Sequence, residues 1–358
     1  MNWINRREVL MSLSGLALAQ RGFGQAAKPA IAPIELKALN YFVLSVSDIK
    51  RSIDFYQGLF GMPIQARHGD SVLMRIGKGP QFMKLTPAGS KPPQIVPQLG
   101  LTVDKFNADR VVSSLEPHGV TKANPSTPGL TGGAMNVRVT PRGNTPELFL
   151  GDPDDFALQI QDTSYAGGTG PMGAAVRPEA SPKKGLIALR DMSHFTINAS
   201  NGATTQDFYL KVFGAPVRSR QATTPAMGIG PAPSVMFLMF IGGGGGRGGR
   251  GAAAPAAGAA APPPAATRAN VNHVSMNMEN FNRETVTKAM VEFGLMSSGG
   301  TASTGPLKTY VSLRMPNRGG AENGTPELYF TDPDGLLLQL QDVKYCGGGG
   351  YLGDVCLG

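Results

Sequence analysis

The chain runs to 358 residues, too many for one ordinary hydrophobic core and enough for two domains of average size. Hydrophobic residues make up 41% and charged residues 16%, a globular balance, while 48 Gly and 29 Pro point to a loop-rich α+β protein. The formal charge of +8 is spread without long basic runs, and no helix-turn-helix or RNA-binding signature accompanies it, so nucleic acid is not an expected partner.

Asn5-Arg6-Arg7-Glu8-Val9-Leu10-Met11, the modestly apolar run to Ala19 and the trailing Arg21 resemble a twin-arginine export signal. Residues 1–26 are therefore read as a leader, removed after Ala19 or near Ala26, and the mature protein is expected in the periplasm or outside the cell. The apolar run is too short to span a bilayer, so no integral membrane segment is expected in the mature protein.

The first domain is read over residues 36–163. Asn40 to Val46 alternates and is rich in β-branched and aromatic residues, Ser47 and Asp48 can cap a helix, and Ile49 to Gln57 has helical spacing that ends before Gly58 and Gly61. Short strands are expected near Val72 to Ile76 and Phe82 to Leu85. The cycle restarts with a strand at Gln98 to Val103 and a helix near Ala108 to Pro117 that stops at Gly119. That is a βαβββ module written twice. A linker, 164–188, is marked by Gly167, Gly168, Gly170, Pro171, Pro178 and Pro182.

The same pattern returns over residues 189–345. At a constant offset of 153, Asp54-Phe55-Tyr56 falls on Asp207-Phe208-Tyr209, Pro80 on Pro233, and Met83 and Leu85 on Met236 and Leu238, with no gap needed. The offset rises to 175, where Phe106, Gly119 and Pro141 meet Phe281, Gly294 and Pro316, and then to 180, where Thr145-Pro146-Glu147-Leu148 meets Thr325-Pro326-Glu327-Leu328. The larger insertion, 242–268, is a Gly/Ala/Pro tract that cannot bury a core and is expected to be disordered. Four modules would make two curved mixed sheets, each folded around a cleft.

Alternation along a strand puts His194 on one face with Thr196 and Asn198, opposite Phe195 and Ile197. His273 likewise shares a face with Ser275 and Asn277, opposite Val274 and Met276. Gln339 shares one with Gln341, and Tyr329 with Glu327 and Thr331. If the apolar faces pack under helices, the polar faces line a cleft that gathers His194, His273, Gln339 and Tyr329. Two neutral imidazoles and one oxygen donor suit a divalent metal such as Fe, Mn or Zn with positions left open for a small-molecule substrate. A strand histidine that only completes a hydrogen-bond network is the other reading of each.

The strand around His194 with Asp207-Phe208-Tyr209 and Gly214 behind it, the strand Asn272-His273-Val274-Ser275, and Tyr329-Phe330-Thr331-Asp332-Pro333-Asp334-Gly335 running into Leu338-Gln339-Leu340 resemble the vicinal oxygen chelate family. That family comprises glyoxalases, extradiol dioxygenases and bleomycin-resistance proteins. The resemblance spans residues 38–163 and 190–343 and implies two tandem domains of this α+β fold, each of two βαβββ modules. It implies metal ligands at His194, His273 and Gln339, a catalytic Tyr329, and a substrate with vicinal oxygens, with Asn198, Asn277 and Glu327 as substrate-binding candidates. The family's usual third ligand is Glu. Gln339 brings no negative charge and cannot serve as the base of a glyoxalase-type isomerisation, so extradiol-dioxygenase-like or lyase chemistry is favoured. The alternative is a metal-free sequestering protein of the bleomycin-resistance type.

In the first domain the matching positions are Tyr41, Gln98, Gln159 and Phe149, and the expectation is a degenerate half-site. His68 and His118 fall in loop or helix-end contexts. Asp332-Pro333-Asp334-Gly335 and its twin Asp152-Pro153-Asp154-Asp155 read as tight turns without chemistry. Cys346 and Cys356 are both missing from the first copy, which favours a disulfide in the C-terminal tail, 346–358, over a metal site. A monomer and a homodimer both remain open.

Overall fold

The computed structural model describes residues 34–242 and 269–357. The leader and nearly all of the Gly/Ala/Pro tract lie outside the described residues. The described residues fold as two nine-stranded mixed sheets, one from each half, and belong to one compact unit.

The first sheet is built from β1 (Ala38–Val46), β2 (Ile64–His68), β3 (Ser71–Arg75), β4 (Phe82–Pro87), β5 (Gln94–Val103), β6 (Thr121–Lys122), β7 (Asn136–Arg142), β8 (Thr145–Gly151) and β9 (Ala157–Asp162). Their order is β2-β3-β4-β1-β5-β9-β8-β7-β6. Each module closes by laying its last strand parallel to its first, β4 on β1 and β9 on β5, while β1 and β5 run antiparallel in the middle. Helix α1 (Ile49–Phe60) crosses in the first module and α2 (Ala108–Leu115) in the second.

The second sheet repeats this with β10 (Asp191–Asn198), β11 (Val217–Gln221), β12 (Thr224–Gly228), β13 (Phe237–Ile241), β14 (Asn270–Met278), β15 (Met296–Ser297), β16 (Lys308–Arg314), β17 (Thr325–Thr331) and β18 (Leu337–Asp342). Its order, β11-β12-β13-β10-β14-β18-β17-β16-β15, is that of the first sheet, with α3 (Gly202–Phe213) and α4 (Arg283–Phe293) as crossings. Strand β2 carries no clear alternation to announce it, and the second module of each half has an extra two-residue strand. The βαβββ tandem is otherwise as expected.

The helix ends follow local chemistry. Asp48 caps α1 by accepting from the Arg51 amide at 3.0 Å, and the helix ends at Gly61, whose φ of 65° is left-handed. It runs through Gly58, one turn beyond the sequence expectation, because Leu59 and Phe60 on its inner face are buried. Packing outweighs the helix cost of a single glycine.

Strand register corrects the repeat in two places. Tyr41 faces Phe82 across the β1–β4 pair where His194 faces Phe237 across β10–β13, so β4 maps onto β13 at an offset of 155. The gapless match slips by two residues after Pro80 and Pro233. Arg142 pairs with Thr145 and Arg314 with Thr325, so Arg142 and Arg314 are equivalent, and Pro141 meets Leu313 rather than Pro316. A longer β16–β17 turn absorbs the difference.

One face of each sheet enters a hydrophobic core common to both halves, where Phe42 meets Phe195 edge-on at 6.3 Å and α1 meets α4 through Phe55 and Phe293 at 5.6 Å. The opposite faces keep small clusters of their own, Tyr41, Val43, Leu73, Phe82 and Tyr165 in the first half and Ala226, Phe237, Met239 and Tyr345 in the second. The twin Asp-Pro turns bind the halves reciprocally. Asp334 accepts from the Ser47 amide at 2.9 Å and pairs with Arg51, at the start of α1, while Asp154 accepts from the Ser200 amide at 3.3 Å and from Thr205 Oγ1 at 3.1 Å, at the start of α3. Asp332 takes the Tyr56 hydroxyl and Asp152 the Tyr209 hydroxyl. These turns therefore do more than reverse the chain.

Candidate functional site

His194 sits mid-strand on β10 and His273 on the neighbouring antiparallel β14, both on the face away from the common core. Their Nε2 atoms approach to 3.3 Å with the rings nearly perpendicular. Each ring is held from behind: His194 Nδ1 lies 3.0 Å from Ser193 Oγ, and His273 Nδ1 lies 2.8 Å from Asn272 Oδ1. Because the Asn272 oxygen only accepts, His273 Nδ1 carries the proton and His273 Nε2 presents a lone pair. Phe237 stacks on His194 at 4.3 Å, Tyr345 lies beyond at 5.4 Å, and Tyr329 meets His273 edge-on at 5.3 Å.

Gln339 stands opposite Tyr329 on β17 and beside Ser275 on β14. It is almost fully buried, and its Oε1 has no hydrogen-bond partner. The expected four residues are thus brought together. Burial lowers His273 to about 4 and holds His194 well below its ordinary value, with the neighbouring His273 and Arg314 pushing His194 further down. The Gln339 side chain pulls both the other way, as an acceptor for an imidazolium would. Both rings are neutral at pH 7. The Tyr329 phenol is driven well above its usual value by burial and then by the Glu327 carboxylate, so it holds its proton.

Two imidazole nitrogens 3.3 Å apart match the separation of two ligands bound about 2.0–2.1 Å from one ion, and each is oriented from its far nitrogen as metal-bound histidines are. The unpartnered Gln339 oxygen is a third donor. This donor set fits a divalent metal, with the charge deficit that Gln brings in place of a carboxylate. Among the described residues no group of three or more His, Cys, Asp or Glu side chains could hold one.

The remaining expected residues sit apart or play another part. Asn198 lies at the far end of β10 and donates to Asn270 at 2.8 Å. Asn277, four residues beyond His273 or roughly 13 Å along the strand, donates to Asp191 at 2.8 Å near the junction between the halves. Glu327 is the hub of a network that strand alternation does not reveal. Arg314 Nε donates to Glu327 Oε1 at 2.8 Å, the Tyr345 hydroxyl to the same oxygen at 3.1 Å, and the Tyr329 hydroxyl to Oε2 at 3.3 Å. Arg314 is wholly buried and also donates to Gly348 O at 3.0 Å.

The first half has the same hub. Arg142 Nε donates to Glu147 Oε1 at 2.6 Å, as does the Tyr165 hydroxyl, and Arg142 Nη1 reaches Gly168 O at 3.0 Å. A signal for the hub exists in the sequence, since an offset of 180 carries Glu147, Tyr165 and Gly168 onto Glu327, Tyr345 and Gly348. Tyr41 occupies the place of His194: it donates to Gln159 Oε1, accepts from Gln98 Nε2 at 2.6 Å and stacks on Phe82 at 4.8 Å. Gln159 in turn donates to Tyr165 at 3.2 Å. This half-site is closed by its own side chains. His68 lies at the end of a strand rather than in a loop, with Nε2 against Gly167 O.

Cys346 and Cys356 form a disulfide, adjacent in sequence to Tyr345. Three cavities of about 780 to 890 Å³ open on the described residues, and none is lined by His194, His273, Gln339 or Tyr329. The histidines are buried, while their neighbours Asn272 and Tyr329 are exposed and partly exposed.

Residues 38–160 match the model of the Glyoxalase/Bleomycin resistance protein/Dioxygenase superfamily. No curated protein sequence matches the chain. Among solved structures, a catechol 2,3-dioxygenase is similar at 15% identity and a TM-score of 0.55, covering 86% of this chain and 87% of its own. The Mn(II)-bound glyoxalase from Novosphingobium aromaticivorans aligns at 14% identity and 0.54, covering 89% and 83%. An extradiol ring-cleaving dioxygenase from B. fuscum aligns at 14% and 0.52, covering 88% and 74%. At these identities the likeness is one of fold, and it extends over both halves.

Proposed function

We propose that the protein is an exported, metal-dependent enzyme of extradiol-dioxygenase or lyase type, acting on a small vicinal-oxygen substrate at the second half. The observation that carries this is the His194–His273 pair, 3.3 Å between Nε2 atoms, beside the unpartnered Gln339 oxygen. The dioxygenase and glyoxalase relatives in fold support the reaction class. Export is supported by the paired Arg6 and Arg7 and by the Cys346–Cys356 bond, which persists in oxidising compartments.

His194, His273 and Gln339 would hold the ion, which would supply Lewis acidity toward a substrate with adjacent oxygens. Ser193 and Asn272 orient the rings, and Phe237 and Tyr345 wall off His194 from water. Tyr329 keeps its proton and is held by Glu327 Oε2, so it would give a substrate oxygen the hydrogen bond it now gives Glu327. Gln339 accepts no proton at neutral pH, so base chemistry does not pass through it.

Elemental analysis tests this. After anaerobic reconstitution with Fe(II), Mn(II) or Zn(II), the mature protein should hold one ion per chain, and the His194→Ala/His273→Ala variant none. A parent that stays metal-free overturns the reading. A second reading, a metal-free binding protein, is favoured by one observation: an uncharged amide oxygen sits where a carboxylate would secure the ion.

A further inference from the structure

Lys84 on β4 stands where the fold otherwise places an apolar side chain. Strand register gives it Leu73 on β3 and Val43 on β1 as neighbours, and Phe82 lies two residues away on the same face. Its counterpart in the second half is Met239, which faces Ala226 as Lys84 faces Leu73 and is buried in the apolar cluster there. Lys84 is half-buried, so its stem is covered while its amine stays within reach of solvent. The Gly167 turn packs closely over this face, where a Cβ would meet Leu73 at 2.2 Å.

Among the described residues, no hydrogen bond or ion pair compensates the burial of Lys84. Glu147, the carboxylate that acts on it, is committed elsewhere, accepting from Arg142 Nε at 2.6 Å and from the Tyr165 hydroxyl at 2.6 Å. Burial lowers the Lys84 ammonium below its ordinary value, while Glu147 draws it back up and the Arg142 guanidinium pushes it down. His68, lowered by burial and then by Arg142, is neutral and gives its Nε2 proton to Gly167 O. A lysine that is partly desolvated, unpaired and near another cation is the nucleophilic kind, because more of it is free amine at neutral pH.

We propose that Lys84 is a covalent carbonyl site, which takes a small, uncharged aldehyde as an imine. The free amine adds its lone pair to the carbonyl carbon and forms the C–N bond. The carbonyl oxygen then leaves as water with both amine hydrogens. The aldehyde is small because the face around Lys84 is closed by its own side chains, and uncharged because Glu147 and Arg142 already satisfy each other. The site lies in the half without the histidine pair, so it neither depends on the proposed metal site nor tests it.

Treating the full chain with limiting propanal and sodium cyanoborohydride, which reduces the imine to a stable propylamine, tests this, with the labelled lysines located by peptide mass. Lys84 should label about fivefold faster than the exposed Lys78 and Lys91. The preference should vanish in guanidinium. Lys84→Met, which places the second half's residue there, should fold and lose the fast label. 2-Naphthaldehyde, too large for the closed face, should show no preference for Lys84. Labelling of Lys84 no faster than of Lys78 and Lys91 in the folded chain, a fast label that survives Lys84→Met, or an equal preference with 2-naphthaldehyde would overturn the proposal.

Discussion

Gln339 is the residue on which the proposed metal site of the second half turns. It lies against two neutral imidazoles with an unpartnered oxygen, so a negative charge introduced there would meet no competing donor. Gln339→Glu should raise the His273 titration above its present value of about 4, since a carboxylate favours the imidazolium, and should tighten divalent-metal binding about tenfold. Competition against a chelating dye measures the second effect, and NMR of the ring protons the first. Arg314 makes the opposite kind of contribution. Its guanidinium and the Glu327 carboxylate are buried together, so Arg314→Ala leaves a lone buried charge and should cost about 3–5 kcal/mol in denaturant unfolding. Arg142→Ala should cost less, because its pair with Glu147 retains partial solvent access. The Arg–Glu–Tyr hub occurs in both halves, whereas the paired buried histidines occur in the second, so the hub belongs to the fold and the pair to the proposed metal site.

Among the elements, the segment after β18 is fixed by chemistry that the first half lacks. The Cys346–Cys356 bond ties the turn whose Gly348 carbonyl accepts from Arg314, directly after Tyr345, which stacks on His194. Both turns share the same backbone bond, Gly168 N to Gly173 O at 2.8 Å and Gly348 N to Gly353 O at 3.0 Å, and the disulfide is the second half's addition. Cys346→Ser/Cys356→Ser should lower stability by about 3 kcal/mol, the loop-closure value for a ring of this size. Mass measurement with alkylation, before and after reduction, should find two protected thiols in protein made by an export route; two free thiols there would contradict the bond. Alternation alone separates His194 from Phe195 and His273 from Val274, and the structure places them on those opposite faces. Strand β2 and the two-residue slip at β13 are not legible in this way, because short strands and loop insertions leave no periodic trace.

For the whole molecule, the reciprocal Asp-Pro turns make stability depend on pH. Burial raises the Asp152 carboxyl to about 7 and that of Asp332 to about 6, against the pull of backbone amides on each. Both values lie above those of the unfolded chain, so the native state binds more protons between about pH 4 and 7, and stability falls as pH rises through that window. The histidines act in the other sense. Their lowered values mean that the unfolded chain binds more protons below about pH 6.5, so stability is lost as pH falls toward 4. The Asp152→Asn/Asp332→Asn variant should therefore keep the acid-side loss and show a flatter thermal midpoint between pH 5 and 8. A profile that matches the parent on both sides would contradict the assignment.

The duplication, the module order, the α1 cap and the gathering of His194, His273, Gln339 and Tyr329 were determined by the sequence itself. They rest on periodicity, turn residues and repeat spacing, all of which are local or translational properties. What the tertiary structure decided was which polar groups meet across strands that are distant in the chain. It placed Glu327 at the centre of a buried network instead of free for substrate, sent Asn277 toward Asp191, closed the first half-site with Tyr41, and turned two tight turns into the latch between the halves. Each depends on register and burial, because a buried charge or amide must find its partner wherever the fold supplies one.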